Sequence, residues 1–449
     1  MKRYLTLAVV AAAIILGGCV KESSLPKATG VATIRALNAI PRSPDFVFLI
    51  EESLLGTARF QTATQTAEYD DLEYNFNFET VLAGDVLPTR VATEPLDVQA
   101  DTDYTFIISG DFTAPDITLW EIPHREWSEG DTLLEVRVSH LATTQGMIDI
   151  YIADEMTPPA LGSQVATIGL GDFSTAIDLT AGDYLLTVTP AGDDSTILFA
   201  SDPLTLSARA QFSISILDPS QNDTATVAAT IVNQTASASA QLTDSRFPPT
   251  IRFIHASMSL GNADIYTDDP LTTPVVADHA FADITGYYDI VRGPNRITYT
   301  VPGDTGTILF DVEELVGQGA KVDYYVLPTG NGTDITRGDV PDRRAVDTRA
   351  RISIINAAAG RDAVDFYLVP SGELIDEATP FVGNLGLSQG PFPFPVAPAS
   401  YDIYITDVDE KIPLAGPIPF APDFGDFVQA MILENVQPTE VDFVFIPQP

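Results

Sequence analysis

The sequence predicts an all-β protein: four tandem, Ig-like antiparallel β-sandwich modules after an N-terminal signal segment. Three observations predict it. One motif is written four times, as TIRALNAIPRSPDFVFLI, LEVRVSHLATTQGMIDIYIA, TIRFIHASMSLGNADIYT and RISIINAAAGRDAVDFYLV. Apolar and polar residues alternate as the dominant period, with Gly, Pro, Asp and Asn clustered between the runs. The copies recur at roughly a hundred residues, the size of one small domain and too long for a solenoid unit.

The chain starts MKRYLTLAVVAAAIILGGCV. Lys2 and Arg3 form a positive n-region, and the apolar stretch from Tyr4 to Leu16 is shorter than the roughly 20 residues a transmembrane helix needs. Leu16-Gly17-Gly18-Cys19 resembles the lipobox of a bacterial lipoprotein, and Cys19 is the only cysteine of the chain. Residues 1–18 therefore read as a signal peptide and 19–30 as a lipidated tether, with acylation (palmitate among the chains) expected on Cys19. Several acyl chains, at about 0.8 kcal/mol per buried methylene, hold a protein stably on a membrane. Val20, rather than Asp, after the cysteine resembles the class sorted to an outer membrane. No cysteine is left for a disulfide, so apolar cores must supply stability.

The repeats divide the rest into modules at 31–124, 132–235, 248–345 and 349–449. Thr33–Ile40, Leu134–Leu141, Ile251–Ser257 and Ile352–Ala357 alternate as half-buried strands. About seven strands per module are expected, with one helical turn at Asp311–Val316. The polar segments 123–132, 235–250 and 337–349 read as linkers, and their shortness favours a semi-stiff rod of four bodies. A second landmark recurs as TAGDYLLTVTPAGDDS, VRGPNRITYTVPGDTG and VAPASYDIYITDVDEK, and a third as LSARAQFSISIL, GQGAKVDYYVL and DFGDFVQAMIL.

These landmarks resemble a bacterial family named only as domain of unknown function 4397. IRFIHAS…ADIYT at 251–267 and TAGDYLLTV at 180–188 carry the resemblance. The first module diverges, keeping Pro44-Asp45 without the aromatic that follows Asp-Ile elsewhere. The resemblance implies a β-sandwich module common in exported proteins. It brings no catalytic residues with it.

Lys and Arg number 23 against 62 Asp and Glu, a formal charge of −39, and no lysine lies between Lys27 and Lys321. Such a surface repels nucleic acid and anionic headgroups. The acids are scattered rather than blocked, as solvation of the surface requires.

Each motif pairs an Asn or His with a later Asp: Asn38 with Asp45, His140 with Asp149, His255 with Asp264, Asn356 with Asp365. A metal or acid–base pair would need His throughout. Asn cannot transfer protons but donates the same kind of hydrogen bond, so the repeat asks for a structural pair. Asp407, Asp409 and Glu410 form the acidic run best suited to calcium, which needs six to eight converging oxygens; no metal or other cofactor is otherwise expected. Phe392 and Phe394 alternate with prolines in GPFPFPV, an edge or loop pattern and a possible contact surface for a glycan or envelope protein. Trp120 and Trp127 flank the first linker, and Arg337-Gly338-Asp339 reads as a chance tripeptide within the third. With no thiol nucleophile free and no hydrolase, zincin or phosphate-loop motif, an enzyme is not expected. The function expected is a lipid-anchored, non-catalytic envelope array for binding, adhesion or scaffolding. The alternative is a carboxylate-based glycan-processing hydrolase, for which a deep cleft with two carboxylates about 5–9.5 Å apart would speak.

Overall fold

The computed structural model describes residues 27–154, 158–220, 225–234, 236, 238–267, 270–329, 332–338, 343–390 and 393–448. Among these residues, every regular element is a strand except two short 3-10 turns. Cys19 and its lipobox, Asp339 and Phe392 lie outside the described residues.

The first sandwich is built from β1 (Val31–Asn38), β2 (Phe46–Ile50), β3 (Ser53–Ala58), β4 (Ala67–Asp70), β5 (Glu73–Thr80), β6 (Thr89–Asp97), β7 (Thr102–Asp111) and β8 (Ala114–Pro123). One sheet has the order β4-β1-β7-β8 and the other β3-β2-β5-β6. The second uses β9 (Leu133–His140), β10 (Ile148–Ala153), β11 (Ala166–Ile168), β12 (Ile177–Thr180), β13 (Gly182–Pro190), β14 (Phe199–Ala200), β15 (Leu204–Leu206), β16 (Gln211–Leu217), β17 (Ala228–Asn233) and β18 (Ser239–Leu242). Its sheets are β12-β9-β16-β17-β18 and β11-β10-β13-β14, with β15 also on β13.

The third has β19 (Thr250–His255), β20 (Ala263–Tyr266), β21 (Val276–His279), β22 (Tyr288–Asp289), β23 (Gly293–Val301), β24 (Asp304–Val316), β25 (Lys321–Thr329) and β26 (Gly332–Gly338). They pair as β22-β19-β25-β26 and β21-β20-β23-β24. The fourth has β27 (Ala350–Ala357), β28 (Ala363–Pro370), β29 (Val382–Gly386), β30 (Pro393–Val396), β31 (Tyr401–Asp407), β32 (Pro413–Phe420), β33 (Phe427–Glu434) and β34 (Val441–Ile446). They pair as β30-β27-β33-β34 and β29-β28-β31-β32.

One topology thus recurs four times. The opening strand lies inside its sheet, antiparallel to one neighbour and parallel to a strand from late in the module: β1 on β7, β9 on β16, β19 on β25, β27 on β33. A parallel neighbour needs a long crossover, and here the chain makes it through the opposite sheet. Each sandwich closes on a core of its own, aromatic in the first (Phe48, Phe76, Phe78, Phe106) and mostly aliphatic in the second.

Four expectations are corrected. Eight strands, not seven, make the basic module. Asp311–Val316 is no helical turn; it continues β24, whose residues alternate against β23, with Arg296 bonded to Asp311 across the pair. Ser239–Leu242 belongs to the second module as β18, so that module does not end at 235 and 235–250 is not a free linker. Nor is 123–132 free, because the Arg125 N–H donates to Gln211 and its guanidinium pairs with Asp178.

The largest correction concerns arrangement. The opening strands are not half-buried; β27 is buried along its whole length. Their second face packs on the neighbouring module. Leu37, Ala39, Ile107 and Trp120 of the first module meet Leu141, Leu217 and Phe173 of the second. Ile254, Ala256, Tyr325 and Leu327 of the third meet Ile355, Ala357, Met431 and Leu433 of the fourth. The modules therefore stack in two pairs rather than forming a rod of four separate bodies.

Candidate functional site

The Asn/His residue stands at the end of the opening strand in three modules and one residue before it in the fourth, and is fully buried in all four. Its side chain does two jobs. It accepts the N–H two residues on: Asn38 from Ile40 at 2.9 Å, His140 from Ala142 at 3.3 Å, His255 from Ser257 at 3.4 Å, Asn356 from Ala358 at 3.1 Å. That bond folds the chain back as it leaves the sheet. The other end of the side chain donates. His140 and His255 use Nε2 on the carbonyls of Gly146 and Gly261, at 2.7 and 2.8 Å. Asn38 and Asn356 use Nδ2 on the carbonyls of Ala58 and Leu385. With Nδ1 accepting, the ring N–H that donates is the one on Nε2. His and Asn are interchangeable here because both offer one acceptor and one donor. They differ in reach: the ring bonds the following loop, whereas the amide reaches the third strand, Asn38 also donating to Ser43 of the following loop at 2.9 Å.

Sequence reasoning missed the partner of this brace. After the third strand, each module makes a tight turn whose left-handed residue donates its N–H to the brace residue's carbonyl. The donors are Gln61, Gly171, Ala282 and Ser388, at 2.7–2.9 Å, with φ of 64°, 82°, 68° and 59°. Three residues on, Thr64, Ser174 and Thr285 hook the opening strand through their hydroxyls, accepting from Ala36, Val138 and Phe253 at 2.9–3.1 Å. In the fourth module Gly390 lies so close to the Ile354 carbonyl that a Cβ would approach it to 2.4 Å. The signal was present as an apolar residue, a turn residue and then Ser or Thr, but no glycine or proline marks it consistently.

The Asp of each motif braces something else. Asp149 takes the Gly192 N–H at 2.8 Å and the Thr167 hydroxyl. Asp264 takes the N–H groups of Asp278 and Gly303, both at 2.8 Å. Asp365 takes those of Asn384 at 2.8 Å and Asp409 at 3.0 Å. Gly192, Gly303 and Asp409 are left-handed turn residues (φ 79°, 74°, 64°) of the hairpin that follows β13, β23 or β31. A buried carboxylate thus pins that hairpin, and its charge is met by backbone donors. Asp45 departs from this pattern: it is half-buried and pairs with Arg344 and, at 3.8 Å, with Arg59. In every module the Asn/His and the Asp serve different partners, so the structure does not assemble them into a dyad.

Asp407 is held by Arg361 at 2.9 Å, the Asp409 N–H belongs to the Asp365 brace, and the Glu410 carbonyl accepts from Tyr367. Among the described residues, no group of three or more His, Cys, Asp or Glu is placed to hold a metal ion. Phe394 lies in β30, an edge strand, and packs edge-on to Phe381 at 6.1 Å beside a cleft floored by Ile354, Val382 and Leu385. Trp120 stacks on Phe173 at 4.3 Å across the first seam, and Trp127 lies under the Arg125 guanidinium. Arg337 and Gly338 are strand residues of β26.

The sequence model of the family described as "Domain of unknown function (DUF4397)" matches residues 32–151 and 249–367. The chain belongs to this family. Each DUF4397 match opens on the first strand of an odd-numbered module and runs through it to the second strand of the next, β10 or β28. No curated protein matches the chain. Among solved structures, the chain titled "The Bacillus anthracis TIE protein" is 10% identical, with 91% of this chain and 69% of that chain covered and a TM-score of 0.14.

Proposed function

We propose that this protein is a lipid-anchored, non-catalytic body of a bacterial envelope, tethered through Cys19, that displays its outer sheets for binding or scaffolding. One observation carries the reading. The polar residues repeated in every module, the natural candidates for chemistry, are consumed by structural braces in which His and Asn do the same work. A proton-transfer or metal site would not tolerate that exchange. The apolar seams support the same reading, since sandwiches stacked in pairs make a stiff body on which a surface is held at fixed geometry. The acidic surface keeps such a body hydrated and discourages non-specific contact with anionic polymers. An outer-membrane location and a glycan or envelope-protein partner follow as the narrower proposal. Fractionation of cells expressing Cys19→Ser tests the anchor: the variant is expected in the soluble fraction or unprocessed. Normal processing with full membrane retention would refute it.

A further inference from the structure

The third module differs from its siblings at one core position. The residue three before the left-handed turn residue is Ala58, Ile168 and Leu385 in the first, second and fourth modules, apolar and buried each time. In the third module it is His279, 1% exposed. Neither of its ring nitrogens finds a hydrogen-bond partner by geometry, although the Asp283 backbone lies near enough to favour its proton slightly. Its ring lies 5.4 Å from that of the brace residue His255. His255 stands edge-on to Phe281, which with Ala282 and Ile284 packs on the seam to the fourth module.

We propose that His279, set against His255, is an acid-sensitive joint: a proton on His279 loosens the 279–285 turn and the seam that the turn supports.

A buried imidazolium needs a counter-charge or water, and the surroundings offer little of either. The opening strand β19 contributes His255, which is already committed through both nitrogens. From β20 comes Asp264, whose oxygens hold two backbone N–H groups. On His279's own strand, Asp278 is exposed and takes the Asn262 amide. The turn contributes Asp283, the one attractive charge, with an oxygen bonded to the Ala280 N–H. Burial, reinforced by His255, therefore pushes His279 down to about 4, and burial also lowers His255. Like charges this close allow the pair one proton far more readily than two. The unfolded or opened turn takes its proton near the ordinary value of 6.5, the closed turn only near 4. Stability that is complete above pH 6.5 is thus lost as pH falls toward 4.

The test is hydrogen exchange on the full chain, corrected for intrinsic rates, with the equivalent 168–174 turn as internal control. Between pH 7 and pH 5, opening of the 279–285 amides is expected to rise about twentyfold, as those two values imply. In His279→Leu or His279→Ile, which use the residues of the sibling modules, the rise is expected to fall below about threefold. Two substitutions guard against one that packs badly. A flat profile in the wild type, or an equal twentyfold rise in both folded variants, would overturn the proposal.

Discussion

The seams inside the two module pairs and the junction between the pairs are built from opposite chemistry. Inside the pairs, sheets meet through apolar side chains, with a few hydrogen bonds among them: Gln61 bonds Asp218 and Thr230 at the first seam, and Arg252 donates to the Pro447 carbonyl at 2.6 Å at the second. Between the pairs the side-chain contacts are ion pairs, partly exposed except for the largely buried Arg344. Arg42 meets Asp347, Arg344 meets Asp45, and Arg292 meets Asp202. Buried apolar area is worth about 25 cal/mol per Å² and is barely touched by salt, whereas exposed ion pairs are worth about 0–1 kcal/mol each. The pair, not the single module, is therefore the rigid unit, and whatever flexibility the body has belongs at the junction.

The largest effect should come from removing a whole seam. A fragment of residues 248–345 bares Ile254, Ala256, Tyr325 and Leu327 on a flat sheet face. It has a core of its own and is expected to fold, but to self-associate at micromolar concentration by sedimentation. The fragment 248–449 keeps the face covered and is expected to be monomeric. If 248–345 is monomeric and melts where 248–449 does, the seam contributes nothing and the comparison fails.

A point charge in the seam is next. Ile355→Asp puts a carboxylate among Ile254, Tyr325 and Met431, and is expected to cost about 3–5 kcal/mol in denaturant unfolding, the range for an uncompensated buried charge. Leu315→Asp, on the exposed β24, should stay within about 0.5 kcal/mol. Equal costs would mean that the seam is wet.

Why the repeats were legible and the pairing was not follows from the same strands. Ile34 and Ala36, or Ile251 and Phe253, alternate with Arg35 and Arg252, which is the pattern of a sheet with one face in water. Arg35 and Arg252 are in fact buried, and Arg252 donates to the Pro447 carbonyl of the next module. Period two reports which residues share a face, not what covers that face. The His255/Asn356 exchange was readable as a donor requirement, because both residue types recur at the same spacing before an Asp. That the side chain also accepts from the residue two on, and that the Asp serves a distant hairpin, depended on turns whose left-handed residues are Gln61, Ala282, Ser388 and Asp409 rather than glycine. His279 stands out only against Ala58, Ile168 and Leu385, which the sibling modules place at its position.

The smallest effect, and the one that sharpens the comparison most, concerns the junction. Arg42 reaches from the loop after β1 to Asp347, and its carbonyl also accepts the Asp347 N–H at 2.9 Å. A substitution there removes a contact between pairs without touching either apolar seam. Both side chains are more than a third exposed, so water already screens much of their attraction. A double-mutant cycle of Arg42→Ala and Asp347→Ala is expected to give a coupling of about 0–1 kcal/mol in unfolding free energy. Solution scattering should nonetheless respond, because a contact that adds little to global stability can still set how often the two pairs touch. Asp347→Arg is expected to enlarge the radius of gyration, and Arg42→Asp in the same chain to restore it. A coupling above about 2 kcal/mol, or scattering indifferent to both reversals, would show that the junction is as rigid as the seams. The four modules would then form one body instead of two.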